Sequence, residues 1–261
     1  MTLHRAVTSD PPGSNVSRRR AAAVLAVACF CAAMTAPARA AHPSLTEDAG
    51  TQGARRVELE VGTTFAHGPD GRLRSVEPQL SIGVADRLDA ILLPTFVAID
   101  AADLRVRGAG ATTTDIKWRF LELDGLDFAL RAGVDWPTGS NALGGDRSSL
   151  HALLVATRRI GDSTISFNAG VDRQSPAFGE RRLVARFALG VVHPVHEVLT
   201  LVSDLAVQSS PAVAQSTMPG VASVGLIARI APTTFVDVGY RLALNAVARP
   251  HAVVAGITFH W

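Results

Sequence analysis

The chain has 261 residues, 48% of them hydrophobic and 18% charged, with a formal charge of +2. It is too apolar for a disordered chain and too nearly neutral for a nucleic-acid binder, and its length suits one compact domain. Five arginines (Arg5, Arg18, Arg19, Arg20 and Arg39) and one acid, Asp10, precede residue 41, so the remainder carries about −2.

Residues 1–40 read as a cleavable signal peptide. A basic block, Ser17-Arg18-Arg19-Arg20, precedes an apolar run over 21–34 and the small-residue site Ala38-Arg39-Ala40. The run of roughly 14 residues is short of the ~20 that a membrane helix needs. The arginine pair leaves general secretion and twin-arginine export both open. Cys29 and Cys31, the chain's two cysteines, fall inside the leader, so neither a disulfide nor a thiolate metal site is expected in the exported protein. Residues 41–55 are polar and glycine-containing, which predicts an extended, only partly ordered N-terminal segment.

From residue 56 the pattern turns to period two. Val57, Leu59, Val61 and Phe65 alternate with Glu58, Glu60 and Thr64; Val76, Leu80, Ile82 and Val84 oppose Glu77, Gln79 and Ser81. Ile116, Trp118 and Phe120 oppose Lys117 and Arg119, and Leu126, Phe128, Leu130, Val134 and Trp136 oppose Asp127, Arg131, Gly133 and Asp135. Successive side chains of a strand point to opposite faces, so each segment has one apolar and one polar surface. Further segments at 165–171, 182–192, 199–207, 220–230, 235–244 and 251–261, with less regular ones at 88–98 and 149–159, bring the count to about twelve. No apolar stretch after residue 41 reaches helix-spanning length, the longest, 91–99, being broken by Pro94. Segments of about ten residues in an even number predict an all-β, transmembrane antiparallel up-and-down β-barrel over 56–261.

The connections alternate in length. Tight Asp-, Gly- and Pro-containing turns fall at 85–87, 123–125, 161–163 and 231–233, whereas loops are expected at 100–114, 137–148, 172–181 and 208–219. Short turns on one side and long loops on the other is the asymmetry of outer-membrane barrels. The last strand alternates Val253, Ala255, Ile257 and Phe259 and ends on Trp261, a pattern similar to the assembly signal of such barrels.

Several stretches resemble the bacterial outer-membrane protein family linked to the meta-pathway of phenol degradation, the "transporter" family. They are His42-Pro43-Ser44-Leu45-Thr46-Glu47-Asp48, residues 78–88, Lys117-Trp118-Arg119-Phe120-Leu121, Pro137-Thr138-Gly139 and Asp237-Val238-Gly239-Tyr240-Arg241. The resemblance covers most of the exported chain and implies an outer-membrane barrel that moves small molecules, with no catalytic residues to carry over.

If the apolar set meets lipid, the opposite set faces a lumen: Glu58, Glu60, Glu77, Lys117, Arg119, Asp127, Arg131, Asp135, Arg186, Asp204, Arg229, Asp237 and Arg241 are the candidate pore-lining charges. Gly133, Gly170, Gly190, Gly225, Gly239 and Gly256 on the same face leave space near the axis. Trp118, Trp136, Tyr240 and Trp261 are candidate membrane-interface aromatics. The expected function is an outer-membrane channel passing small solutes, hydrophobic or aromatic compounds among them, by passive diffusion. The alternatives are a non-conducting structural or ligand-binding barrel and a membrane-embedded lipid hydrolase, for which Ser148, Ser149 and His151 are the one candidate cluster. His193, His196 and Glu197 flank Pro194 in an expected turn, and no metal or other cofactor is expected. The expected partners are outer-membrane lipids, the barrel-assembly machinery acting on the strand that ends at Trp261, and a small-molecule solute, with no nucleic acid.

Overall fold

The computed structural model describes residues 42–68, 71–101, 104–140, 143, 147–175, 179–248 and 251–261. The expected leader, with Cys29 and Cys31, lies outside them. Twelve antiparallel strands follow one another: β1 (Val57–Gly68), β2 (Gly71–Ala85), β3 (Leu88–Ala101), β4 (Leu104–Leu123), β5 (Leu126–Trp136), β6 (Ser149–Ile160), β7 (Ser163–Gln174), β8 (Leu183–His196), β9 (Leu199–Gln208), β10 (Gly220–Ala231), β11 (Thr234–Ala243) and β12 (His251–His260). Each pairs with its sequence neighbours, and β1 pairs with β12 to close the barrel. Closure runs from Glu58 opposite His260 to His67 opposite His251. Val57 and Trp261 then exchange backbone hydrogen bonds of 3.1 and 2.9 Å. A closed sheet leaves no unpaired edge, the condition for placing strands in a medium without water.

The period-two pattern is read out as two surfaces. Phe65, Val76, Ile82, Leu130, Leu154, Phe167, Leu205, Val224 and Val238 are exposed on the outer wall. Their neighbours Thr64, Gln79, Ser81, Arg131, His151, Asn168, Asp204 and Asp237 are buried inside. This is the inverse of a water-soluble barrel, whose outer face is polar. The interior is not uniformly polar: Ile91, Leu93, Leu153, Val155, Val202 and Val254 are also buried there.

Tight turns close the end that holds the chain's C-terminus, and Gly125 and Gly161 supply the positive φ, 70° and 58°, that two of them use. One connection differs from the sequence reading. The loop expected at 100–114 is absent; β3 continues to Ala101 and β4 begins at Leu104. Residues 104–112 are polar and glycine-rich because this part of the wall rises past the apolar band, where alternation of apolar side chains is no longer required. A register shift between Pro94 and Phe96 takes up the proline, which cannot donate to the ladder.

Candidate functional site

The residues before β1 do not leave the barrel. His42 to Gln52 lie within the lumen, most of them buried, and contact the inner wall strand by strand. The His42 amide donates to Glu60 on β1 at 2.8 Å, and its Nδ1 meets Asp237 on β11 at 2.7 Å. Ser44 and Thr46 both donate side-chain hydroxyls to Asp204 on β9, each at 2.6 Å, and Ser223 on β10 donates to the same carboxylate at 2.8 Å. Glu47 exchanges backbone–amide hydrogen bonds with Asn168 on β7 at 2.7 and 2.8 Å. The Ala49 amide donates to Thr157 on β6 at 2.9 Å, and the Gln52 amide to Asp89 on β3 at 3.0 Å. Gly53 and Arg55 then take positive φ, 84° and 66°, and turn the chain into β1.

The segment therefore runs round the inside of the wall from β11 back to β2. Twelve strands ~4.8 Å apart and tilted by ~40° make a wall of roughly 12 Å radius. One circuit about 5 Å inside it needs roughly 45 Å of chain, which is the reach of about thirteen extended residues. Residues 42–55, the belt together with the turn into β1, have about that length.

Wall glycines make room for it. A β-carbon at Gly62 would lie 2.5 Å from the His42 ring, at Gly225 2.6 Å from Pro43, and at Gly256 2.9 Å from His42 Nδ1. At Gly190 it would collide with Thr46, and at Gly83 with the Gly53 carbonyl. Four of the six glycines that the sequence places on the inner face, Gly190, Gly225, Gly239 and Gly256, thus border the belt. Gly133 and Gly170 instead border wall residues, Asp115, Leu153 and Arg186.

Facing charges knot the belt to β4 and β5. Glu47 lies 2.7 Å from Lys117, the chain's single lysine, and 2.5 Å from Arg131. Arg131 also holds Asp115 at 2.6 Å and donates to Gln79 at 3.1 Å, while His151 meets Asp115 at 2.6 Å. Burying a charge is costly unless it is paired and hydrogen-bonded, and Glu47, Lys117, Arg131 and Asp115 all are, whereas His151 Nδ1 makes no hydrogen bond among the described residues.

The other candidate charges are spread over the height of the barrel. Glu58 lies 3.4 Å from His260, Glu77 accepts from Ser75 at 2.7 Å, and Asp135 accepts from Thr113 at 2.5 Å. Arg186 lies 3.4 Å from Asp172, and Arg241 has Nε and Nη2 buried with no hydrogen-bond partner among the described residues. Asp127 is half-buried near the turn end of β5. Arg119 pairs with Glu122 at 2.7 Å close to the turns. Arg229 is exposed and donates to the Glu197 carbonyl at 3.1 Å, so it stands at the rim and not within the lumen. Alternation alone could have found Asp89, Asp115, His151 and Asn168, which share the inner face; Glu47 carries no strand pattern and could not be found that way.

Ser149 and His151 do not meet. Ser149 donates to Asp135, and His151 holds Asp115 through Nε2 while its Nδ1 lies 3.7 Å from the same Asp135 oxygen. His193 and His196 are exposed, and His193 Nδ1 meets Ser163 at 2.9 Å. No group of three metal-binding side chains occurs among the described residues. Above the belt, Leu143 from the β5–β6 loop turns inward onto Ala66, Leu73, Ile99 and Ala252, with Val97 and Val106 alongside, and forms an apolar patch in the far half of the lumen.

No protein-family model and no curated protein matches the chain. Among solved structures it is similar to the COG4313 outer membrane channel from Pseudomonas putida F1, with a TM-score of 0.69 at 13% identity, over 83% of this chain and 99% of that one. The NanC porin follows at a TM-score of 0.56 and 9% identity, covering 77% and 98% of the two chains. The KdgM porin in complex with disordered oligogalacturonate gives 0.55 and 9%, covering 78% and 98%. At such identities the likeness is one of fold: this chain has the barrel of outer-membrane channels and porins.

Proposed function

We propose that the protein is an outer-membrane channel for small solutes whose lumen is narrowed by its own N-terminal belt. The observation that carries this reading is the circuit of residues 42–52 inside a closed cylinder with an apolar outer wall. A wall of about 12 Å radius lined by one extended chain and its side chains leaves an axial opening of only a few ångström. Solutes of that width pass by passive diffusion, past charges of both signs. The apolar patch around Leu143, together with Ile99 and Leu73, favours hydrophobic or aromatic solutes at the far mouth. Trp118 and Trp261 toward the turn end, and Trp136 and Tyr240 toward the loop end, are exposed on the outer wall and suit the two membrane interfaces.

The same belt supports a second reading, a barrel that binds a ligand or merely stands in the membrane without conducting. Planar-bilayer recording separates the two. The channel reading expects small, steady currents from the wild-type chain and much larger ones after removal of residues 42–52. A folded, inserted barrel that carries no current and no solute flux in either form would leave the non-conducting reading.

A further inference from the structure

At the loop-end rim of the wall, where β6 and β7 end and the chain enters β8, a cleft of about 180 Å3 is lined by Leu150 and Arg173 of the outer face, by Ser149 and Gln174 of the inner face, and by Ser148, Ser175 and Arg182 beside them. Channel function gives it no role. Its volume is about six times the ~30 Å3 share of one liquid water, ample for a tetrahedral phosphate ester with its shell.

The wall sets its height. Leu150 pairs with Arg173 across β6 and β7, and Arg173 with Leu183 across β7 and β8. Leu150 and Arg173 are exposed on the outer face, and toward the middle of the wall the same face continues as Val171, Leu154 and Phe167, all exposed. The two arginines therefore stand where the apolar band gives way to loops. There an arginine lays its aliphatic stem on apolar surface and keeps its guanidinium in the polar layer.

Neighbouring arginines are already engaged. Arg147 pairs with Glu180 at 3.0 Å, and Arg181 donates to the Val213 and Gln215 carbonyls at 3.3 and 3.4 Å. Among the described residues no carboxylate pairs with the guanidinium of Arg173 or Arg182. Two planar forks with no carboxylate partner among the described residues, beside the Ser148 and Ser175 hydroxyls, match the oxygens of a phosphate, which such forks bind in bidentate fashion; the Ser149 hydroxyl is held by Asp135.

We propose that this cleft binds a phosphate group of a lipid headgroup in the outer leaflet, with acyl chain lying along Leu150, Val171 and Leu154. The proposal rests on the membrane reading above, because only that reading places a headgroup at this height.

Native mass spectrometry of the exported protein, folded in neutral detergent and titrated with diphosphorylated lipid A, tests it. The wild type should bind lipid A at least tenfold more tightly than the dephosphorylated lipid. Arg173→Gln/Arg182→Gln should lose most of that difference, and Arg173→Lys/Arg182→Lys, which keeps the charge without the fork, should lose part of it. Unheated electrophoretic mobility and bilayer current check that each variant has folded. Equal binding of the dephosphorylated lipid, an unchanged affinity in the double glutamine variant, or displacement by equimolar inorganic phosphate each overturns the lipid site. A barrel that inserts and conducts but ignores phosphate removes the cleft alone. A chain that stays in the aqueous phase without detergent removes the membrane reading as well.

Discussion

Glu47 reaches Arg131 across 84 positions of sequence through an Oε2–Nη1 contact of 2.5 Å, and this pair fixes the middle of the N-terminal belt to the barrel wall. Lys117 shares the carboxylate at 2.7 Å, so one acid neutralises two buried cations. Removing one partner of a buried pair costs ~3–5 kcal/mol, because the other charge is left unpaired. Arg131 keeps Asp115 and the barrel keeps its ladder, so the loss falls on the belt. Glu47→Ala is expected to raise single-channel conductance several-fold and to lower thermal stability. Arg87→Ala, which breaks an exposed pair with Glu122, should change stability by only ~0–1 kcal/mol. Unchanged conductance in Glu47→Ala would show that the belt does not limit the opening.

The belt's seat can be tested from the wall side. A side chain at Gly190 would occupy the space of Thr46, so Gly190→Val should push that stretch off the wall without breaking a strand. Ser44 is buried and bound to Asp204 at 2.6 Å. In a chain beginning after residue 40, Ser44→Cys is the single thiol. Its reaction with a bulky water-soluble maleimide should be slow, and it should quicken at least tenfold when Gly190→Val is added. Equal rates in the two proteins would mean that the segment leaves the lumen unaided.

Strand periodicity made the barrel legible because each strand touches two unlike media, and side-chain alternation records that at every position. The belt was not legible by the same route. Ser44, Thr46 and Glu47 are read by single residues on β9, β7, β5 and β4, and a polar segment that curls round a wall has no period of its own. The trace it leaves lies in the wall. Gly190, Gly225, Gly239 and Gly256 read as space along the axis, and the structure fills that space with His42, Pro43 and Thr46. The hairpin of β3 and β4 was missed for a different reason. Beyond the lipid, the outer face of a strand has no need of apolar residues, and Arg105 and Arg107 with Gly108 and Gly110 look like a loop.

The division of surfaces predicts a cost for charge on the outside. Leu154 lies near the middle of β6 and is 45% exposed, facing outward. An arginine at the bilayer midplane of such a barrel costs ~2–4 kcal/mol, falling to ~0–1 near the interfaces. Leu154→Arg should therefore lower folding stability in vesicles by about that amount, measured by denaturant titration. Val213→Arg, in the β9–β10 connection, should be close to neutral. Equal effects at the two positions would argue against lipid contact at Leu154.

Ser149 and His151 share the inner face and both border Asp135, to which Ser149 donates and from which His151 Nδ1 lies 3.7 Å, while His151 Nε2 holds Asp115; no hydrogen bond joins the serine to the histidine. A hydroxyl acts as a nucleophile when a base takes its proton, and neither residue supplies that to the other. Phospholipid and lipid A hydrolysis by the wild type should equal the blank, and Ser149→Ala should change conductance little. Hydrolysis that vanishes in Ser149→Ala would replace the channel with an enzyme.

Trp261 combines two roles that one substitution can separate. Its backbone closes the barrel through hydrogen bonds with Val57, while its ring stacks on Phe259 at 5.9 Å and is 66% exposed. Trp261→Ala keeps the backbone pairing and removes the ring. If the terminal aromatic is read by the assembly machinery, this variant should fold in detergent with near wild-type yield and unheated mobility. In cells its level in the outer membrane should drop several-fold, with the unassembled chain degraded in the periplasm. A parallel loss of folding in detergent would assign the ring to barrel closure, and an unchanged level in cells would mean that assembly does not depend on it.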